Sequence, residues 1–222
     1  METKSMIKRI IIYSAWLLFF AACVSCQKAK SEIIKVKAER IIEYKKSIDY
    51  TSYFDEAQEY CSKNNLNEEL FFLIDLGIHS GLKRFFIYDL KDKKLLKSFL
   101  VSHGCGNSVW GETFTKEEAK VSNQFDSHCS SIGKYIVLNR GVSQWGIKVN
   151  YVLDGKEDTN SNALNRAIVL HSWEEVPNGE VYPDGTPEGW GCPAVSNESM
   201  IEIDSILQKN KKVLFWVIKT LR

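Results

Sequence analysis

From Glu69 onward the chain is a succession of short apolar runs, rich in aromatic and β-branched residues and closed by turns. That pattern confines the domain to a mainly β fold. Leu70 to Leu76 is mostly apolar, interrupted by Asp75, and Gly77 to Gly81 turns. Arg84 to Leu90 (RFFIYDL) and Leu95 to Ser102 flank Lys91-Asp92-Lys93-Lys94 and read as a hairpin. Further strands are expected at Gly133 to Leu138, near Ile147 to Leu153, and at Ala167 to His171. Val213 to Ile218 (VLFWVI) reads as a closing buried strand. Two helices frame the set. Tyr53 to Asn64 repeats Phe54, Ala57 and Cys61 at helical spacing, and Glu198 to Gln208 is the second. The expectation is a mainly β domain with a helix near each end.

The N-terminus carries a targeting pattern. Lys4, Lys8 and Arg9 make a positive start, and Ile10 to Ala22 is uncharged and mostly apolar. That run is shorter than the roughly 20 residues of a spanning helix and suits a signal-peptide core. Ala21-Ala22 before Cys23 predicts a bacterial lipoprotein signal over 1–22 with lipid on Cys23. Cys26 is the alternative acceptor, and a plain cleaved signal or short anchor is the simpler reading. A lipid would tether the protein to a membrane and leave the rest soluble. Residues 23–50 then form a lysine-rich stalk, or a short helix with Ile33, Ile34, Ile41 and Ile42 on one side. A helical segment follows at 51–68, and the functional domain occupies 69–222. A hydrophobic fraction of 44% can fill one core and excludes a disordered chain. A net charge of +1 gives no electrostatic case for nucleic acid. A monomer is expected.

Chemistry concentrates between Ala167 and Ser196. An apolar run ends in His171, a loop rich in proline and glycine follows, and the chain returns through Gly189-Trp190-Gly191-Cys192-Pro193. A thiol is a weak nucleophile until an imidazole takes its proton. A strand, loop and strand can bring His171 and Cys192 together, and Gly191 leaves backbone N–H groups open toward an oxyanion. Ser102-His103-Gly104-Cys105 is a rival pair, although residues two apart on a strand share a face without being aimed at each other. His103, Cys105, His128 and Cys129 also offer four metal ligands, without the spacing of structural zinc sites. No metal and no cofactor is expected. Cys105 and Cys129 can pair as a disulfide if the chain is exported.

Taken together, FFIYDLKDKKLLKSFLVSHGCGN (85–107), VSNQFDSHCSSIGKY (121–135), NALNRAIVLHSW (162–173) and GWGCPAV (189–195) resemble the murein L,D-transpeptidase family (YkuD-like), in its branch with proline after the cysteine. The resemblance covers the chain from about Glu69 to its end. It implies an L,D-transpeptidase-type β-sandwich with flanking helices, acting on peptidoglycan stem peptides in the bacterial cell envelope, facing the periplasm or cell wall. It makes Cys192 the nucleophile and His171 the base, with the Gly191 and Cys192 amides toward the oxyanion and Ser172 at an orienting position. Ser130, Ser131 and Gly133 match a turn near the site, and Arg166 is expected to hold a substrate carboxylate. Trp173 and Trp190 flank the two catalytic positions and are read as walls of a groove, with Pro177 to Gly189 as its wall or lid. The sequence departs from the family at Gly189, Trp190 and Pro193-Ala194, where a serine before the cysteine and an arginine after it are usual. A hydrolase on the same fold, and a binding relative without activity, are the alternatives.

Overall fold

The computed structural model describes residues 48–221, together with separate positions between 27 and 43. The chain divides into two units, Met1–Ile48 and Asp49–Arg222. The described positions between 27 and 43 are helical. The expected signal at 1–22 and the lipidation positions Cys23 and Cys26 lie outside the described residues. No helix among the described residues is long and apolar enough to cross a membrane.

The second unit begins with helix α1 (Thr51–Lys63) and continues through strands β1 (Leu70–Asp75), β2 (Phe85–Asp89), β3 (Lys94–Phe99), β4 (Gly133–Val142), β5 (Val149–Gly155), β6 (Val169–Ser172) and β7 (Ala194–Val195). Helix α2 (Asn197–Lys209) and strand β8 (Leu214–Ile218) complete it. The strands make one mixed sheet in the order β3-β2-β1-β8-β4-β5-β6-β7. Mainly β architecture with flanking helices is as expected. Its layers belong to one sheet curled nearly into a barrel.

β1 and β8 pair in parallel at the centre, and every residue of both is buried. Burial on both faces is why their sequences run LFFLID and LFWVI without a polar alternation. Phe72, Ile74, Phe85, Ile87, Phe215 and Val217 face the main core, where Met200, Ile203 and Leu207 of α2 close over them. Ser196 caps α2 by accepting the Ser199 N–H at 3.1 Å. On the other side α1 packs Phe54 against Phe71 and Tyr88, with ring centroids 5.6 and 4.9 Å apart. Lys134 of β4 latches that helix. Its ammonium reaches Glu56 of α1 at 2.7 Å and Glu157 at 2.9 Å, and sits 4.2 Å over the Trp216 ring.

The expected β4 stops too early, because a bulge between Val137 and Arg140 lets the strand run on to Val142. The expected β6 starts too early, because Ala167 has a φ of 53°. A left-handed residue cannot continue a strand.

Phe215 is fully buried, and its ring meets Phe72, Phe85 and Tyr135. Phe215→Ala is expected to cost about 3–5 kcal/mol, read as a lower urea midpoint with unchanged slope. Val142→Ala, 86% exposed, is expected to change stability by no more than about 0.5 kcal/mol in the same titration.

Candidate active site

β6 delivers the histidine by strand alternation. Leu170 and Ser172 point into the core, while Val169 and His171 are half-buried on the opposite face. β7 pairs with β6 in parallel, with His171 opposite Ala194. The His171 N–H also reaches the Pro193 carbonyl at 3.3 Å. Cys192 lies two residues before Ala194 and therefore on the face that His171 occupies. One strand pairing thus closes the long gap between the two residues. His171, Cys192, Ser102, Ala194, Gly189 and four tryptophans line a single cleft of about 430 Å³.

The imidazole has a fixed tautomer. His171 Nδ1 lies 2.9 Å from the Ser172 carbonyl, which only accepts, so Nδ1 carries the proton and Nε2 is left as a base. Burial pulls the His171 pKa below its ordinary 6.5, against the opposing pull of that carbonyl and of Glu174. The Cys192 thiol is half-buried, donates to the Ala167 carbonyl at 3.7 Å and accepts the Val169 N–H at 3.4 Å. Burial raises its pKa above 9.0, and the Val169 N–H and the Arg166 charge only offset this. Burial thus favours the neutral form of both groups. Beside them, the N–H groups of Gly191 and Cys192 have no acceptor among the described residues.

The other expected residues brace this arrangement from behind. Gly191 has a φ of +101°, and a Cβ there would collide with the Cys129 carbonyl, so only glycine fits. Ser130 is buried and bridges two segments. Its Oγ accepts the Gly104 N–H at 3.1 Å and donates to the Gly191 carbonyl at 3.2 Å. The buried Ser131 hydroxyl meets Tyr135 Oη at 2.8 Å. Gly133, with φ +126°, opens β4 against the Glu157 to Asn160 side chains. Arg166 spends its guanidinium on Ser122 O (3.0 Å), Cys129 O (2.5 Å) and Ser131 Oγ (3.4 Å). The Ser172 hydroxyl is buried and accepts the Ile147 N–H at 2.9 Å, so the group of Ser172 that orients His171 is its carbonyl. The loop expected as wall or lid is fastened to the body, with Val181 N–H on Gly81 O at 2.9 Å and Thr186 N–H on Ser80 Oγ at 3.2 Å.

The rival pair is occupied elsewhere. His103 is fully buried, and its Nδ1 accepts from Arg84 Nη2 at 2.8 Å, since a guanidinium only donates. Nε2–H therefore donates to Thr115 Oγ1 at 2.8 Å. Burial and the Arg84 charge hold the His103 pKa well below its ordinary value. Thr115 hands the chain on to Glu188, with its N–H at 2.5 Å and through its hydroxyl. Glu188 is buried, and its Oε2 has no partner among the described residues. Burial raises its pKa, opposed by the Thr115 hydrogen bonds and by Arg84. Glu188 begins the cysteine loop, whose next residue gives its N–H to His103 O and takes the Cys105 N–H, both at 2.8 Å. Cys105 and Cys129 are buried free thiols. His128 stacks on Trp190 at 5.2 Å. Among the described residues, no group of three or more His, Cys, Asp or Glu side chains converges.

Two wall residues escaped the sequence reading of the site. Trp110 stacks on Trp173 at 4.9 Å and 22°, and Trp145 joins them at 6.0 and 6.2 Å. Trp190, expected as a wall, is 62% exposed at the cleft rim. Trp110 and Trp145 come from loops without periodicity. Their only signal in sequence is a large aromatic residue beside a glycine.

The sequence model of the L,D-transpeptidase catalytic domain (YkuD_2) matches residues 43–216. No curated protein matches the chain. Among solved structures, Bd1075 of Bdellovibrio bacteriovorus aligns at 13% identity and a TM-score of 0.43, over 70% of this chain and 49% of that one. The chain thus spans about half of that protein. A crystallised segment of the L,D-transpeptidase from Xylanimonas cellulosilytica aligns at 11% identity and a TM-score of 0.38, over 73% of this chain and 68% of that one.

A base must be neutral to take a proton, and burial lowers the His171 pKa. If the pair is catalytic, the acid limb of kcat/KM is expected to fall below pH 6.5. Alkylation of Cys192 by iodoacetamide, read by mass spectrometry of its peptide, is expected to keep rising with pH beyond 9.0 before it levels off. A thiol already reactive at pH 6 would mean a preformed ion pair instead.

Proposed function

The chain belongs to the L,D-transpeptidase catalytic domain family, whose substrate is the peptidoglycan of the cell envelope, and from that premise we propose that it is a cysteine-dependent L,D-transpeptidase. One observation carries the reading. A thiol and a tautomer-fixed imidazole share a cleft with two unengaged backbone N–H groups. His171 Nε2 takes the thiol proton as Cys192 Sγ attacks the carbonyl of an L-centred stem residue. The oxyanion turns to the Gly191 and Cys192 amides. His171 then gives the proton to the departing D-amino acid, leaving a thioester. An amine from a second stem resolves the thioester into a cross-link, whereas water would give L,D-carboxypeptidase activity. In this scheme Arg166, Ser130 and Ser131 hold the loop under the thiol.

Incubation with disaccharide tetrapeptide tests the scheme by product mass. A dimer lacking one D-alanine is expected. Tripeptide alone would indicate the hydrolase, and unchanged substrate would sink both. A carbapenem is expected to add covalently to wild type and Cys105→Ser but not to Cys192→Ser, with cross-linking lost at least a thousandfold in Cys192→Ala. The reverse labelling would overturn the choice of nucleophile.

The reading extends to an exported, monomeric lipoprotein, supported by the charged start, short apolar run and small residues before Cys23. Incorporation of labelled palmitate in cells is expected to survive Cys26→Ala and to vanish in Cys23→Ala. Absence of label from the wild-type protein would remove the lipid anchor, and loss in Cys26→Ala alone would move it to Cys26.

A further inference from the structure

Glu188 is the joint between two loops that form the cleft. Its N–H donates to the Glu112 carbonyl, and its own carbonyl accepts the Gly111 N–H, both at 2.9 Å. Its Oε1 accepts the Thr115 N–H at 2.5 Å. One residue thus holds segment 111–115 at both ends. Trp110, which stacks on Trp173 in the cleft wall, directly precedes that segment. On its other side Glu188 leads into Gly189, which is bonded to His103 and Cys105, and on to Cys192. Displacing Glu188 would part the Trp110 loop from the cysteine loop.

The backbone half of this joint is fully bonded, and the carboxyl half is not. Glu188 is fully buried, and its Oε2 has no partner among the described residues. An empty buried acceptor costs free energy, and it costs more on a charged group than on a neutral one. Arg84, just before β2, favours the ionised form, and Glu112, on the tryptophan loop, disfavours it. His103 and Cys105, from the segment after β3, are kept neutral by burial. Burial is also the largest influence on Glu188 and holds its pKa above the ordinary 4.5. We propose that Glu188 is a positioning residue whose neutral form latches the Trp110 loop to the cysteine loop and whose ionised form releases it. An open loop would give the carboxylate to water. The buried position therefore binds a proton more tightly than the open one, and the proton in turn favours the buried position. The latch is complete below pH 4.5 and is lost as the pH rises through the raised value. Acid thus fixes the tryptophan wall against the cleft, and a rise in pH loosens it.

Two measurements on the full chain test the latch, and neither uses turnover, so its failure is distinct from failure of the acyl-transfer reading. The first follows the carboxyl carbon resonance of Glu188 by NMR. Its midpoint is expected above 4.5, and a midpoint at or below 4.5 overturns the latch. The second is amide hydrogen exchange. The Gly111 and Thr115 amides are compared between wild type and Glu188→Gln at the same pH, so that intrinsic exchange cancels. Glutamine keeps an acceptor for Thr115 and has the shape of the neutral acid. The wild-type rates are expected to match the variant's below pH 4.5 and to exceed them at least threefold at about pH 8, while β1 amides exchange alike in both proteins. A ratio that stays flat with pH overturns the latch, and so does a rise that the β1 amides share. Should Glu188→Gln fail to fold, the wild-type ratio of Gly111 to β1 exchange carries the same test. It is expected to rise at least threefold over that range, and a constant ratio overturns the proposal.

Discussion

The pairing of two edge residues with β6 sets the geometry on which the site depends. Ala194 and Val195 are too few to hold a strand alone. They hold because the segment after β3 grips them from the other side. The Ser102 N–H meets Ala194 O at 2.8 Å, and Ser102 Oγ accepts the Ala194 N–H at 3.2 Å. A bridge between Gly104 and Gly189 continues the grip up the cysteine loop. β7 is therefore not an open edge. The central strands supply the rigid sheet, and this clasp transfers their rigidity to Cys192.

The surroundings of Cys192 and His171 disfavour a standing ion pair between them. Burial favours the neutral form of both partners, raising the thiol and lowering the imidazole. A thiol kept neutral is protected from adventitious oxidation, which acts on thiolates. The positive charge closest in effect is Arg166, whose donors are committed to loop carbonyls. Its contribution to thiolate formation comes with its work as a strut.

Strand existence was legible from Glu69 to Ile218, because runs such as LFFLID and LFWVI carry no other reading at that length. Strand ends were not, since a bulge in β4 and a left-handed Ala167 leave no mark in an apolar run. β7 was hidden, being held by contacts with residues about 90 positions away. The chemistry was partly legible. Spacing alone left Cys105 and Cys192 level, and the resemblance of several segments at once separated them. The structure adds a physical reason, because the nitrogens of His103 are committed to Arg84 and Thr115. Of the tryptophan wall only Trp173 and Trp190 could be read, since Trp110 and Trp145 join them from loops distant in sequence.

The chain of contacts from Arg84 through His103 and Thr115 to Glu188 ties the history of the cysteine loop to distant parts of the sequence. Arg84 stands at one end and the buried Glu188 carboxyl at the other, with His103 and Thr115 handing hydrogen bonds in one direction between them. Replacing His103 or Thr115 removes one hydrogen bond from each neighbour in the chain, while Arg84 keeps the Ile78 and Val101 carbonyls. The energetic effects of changes at Glu188 and at Arg84 are thus coupled through the network rather than additive. Loop residues facing the cleft, such as Trp190, carry no such obligation. The loop is divided into a back bonded into the body and an exposed front at the cleft, so a change at the front can reshape the cleft while the thiol stays where it is.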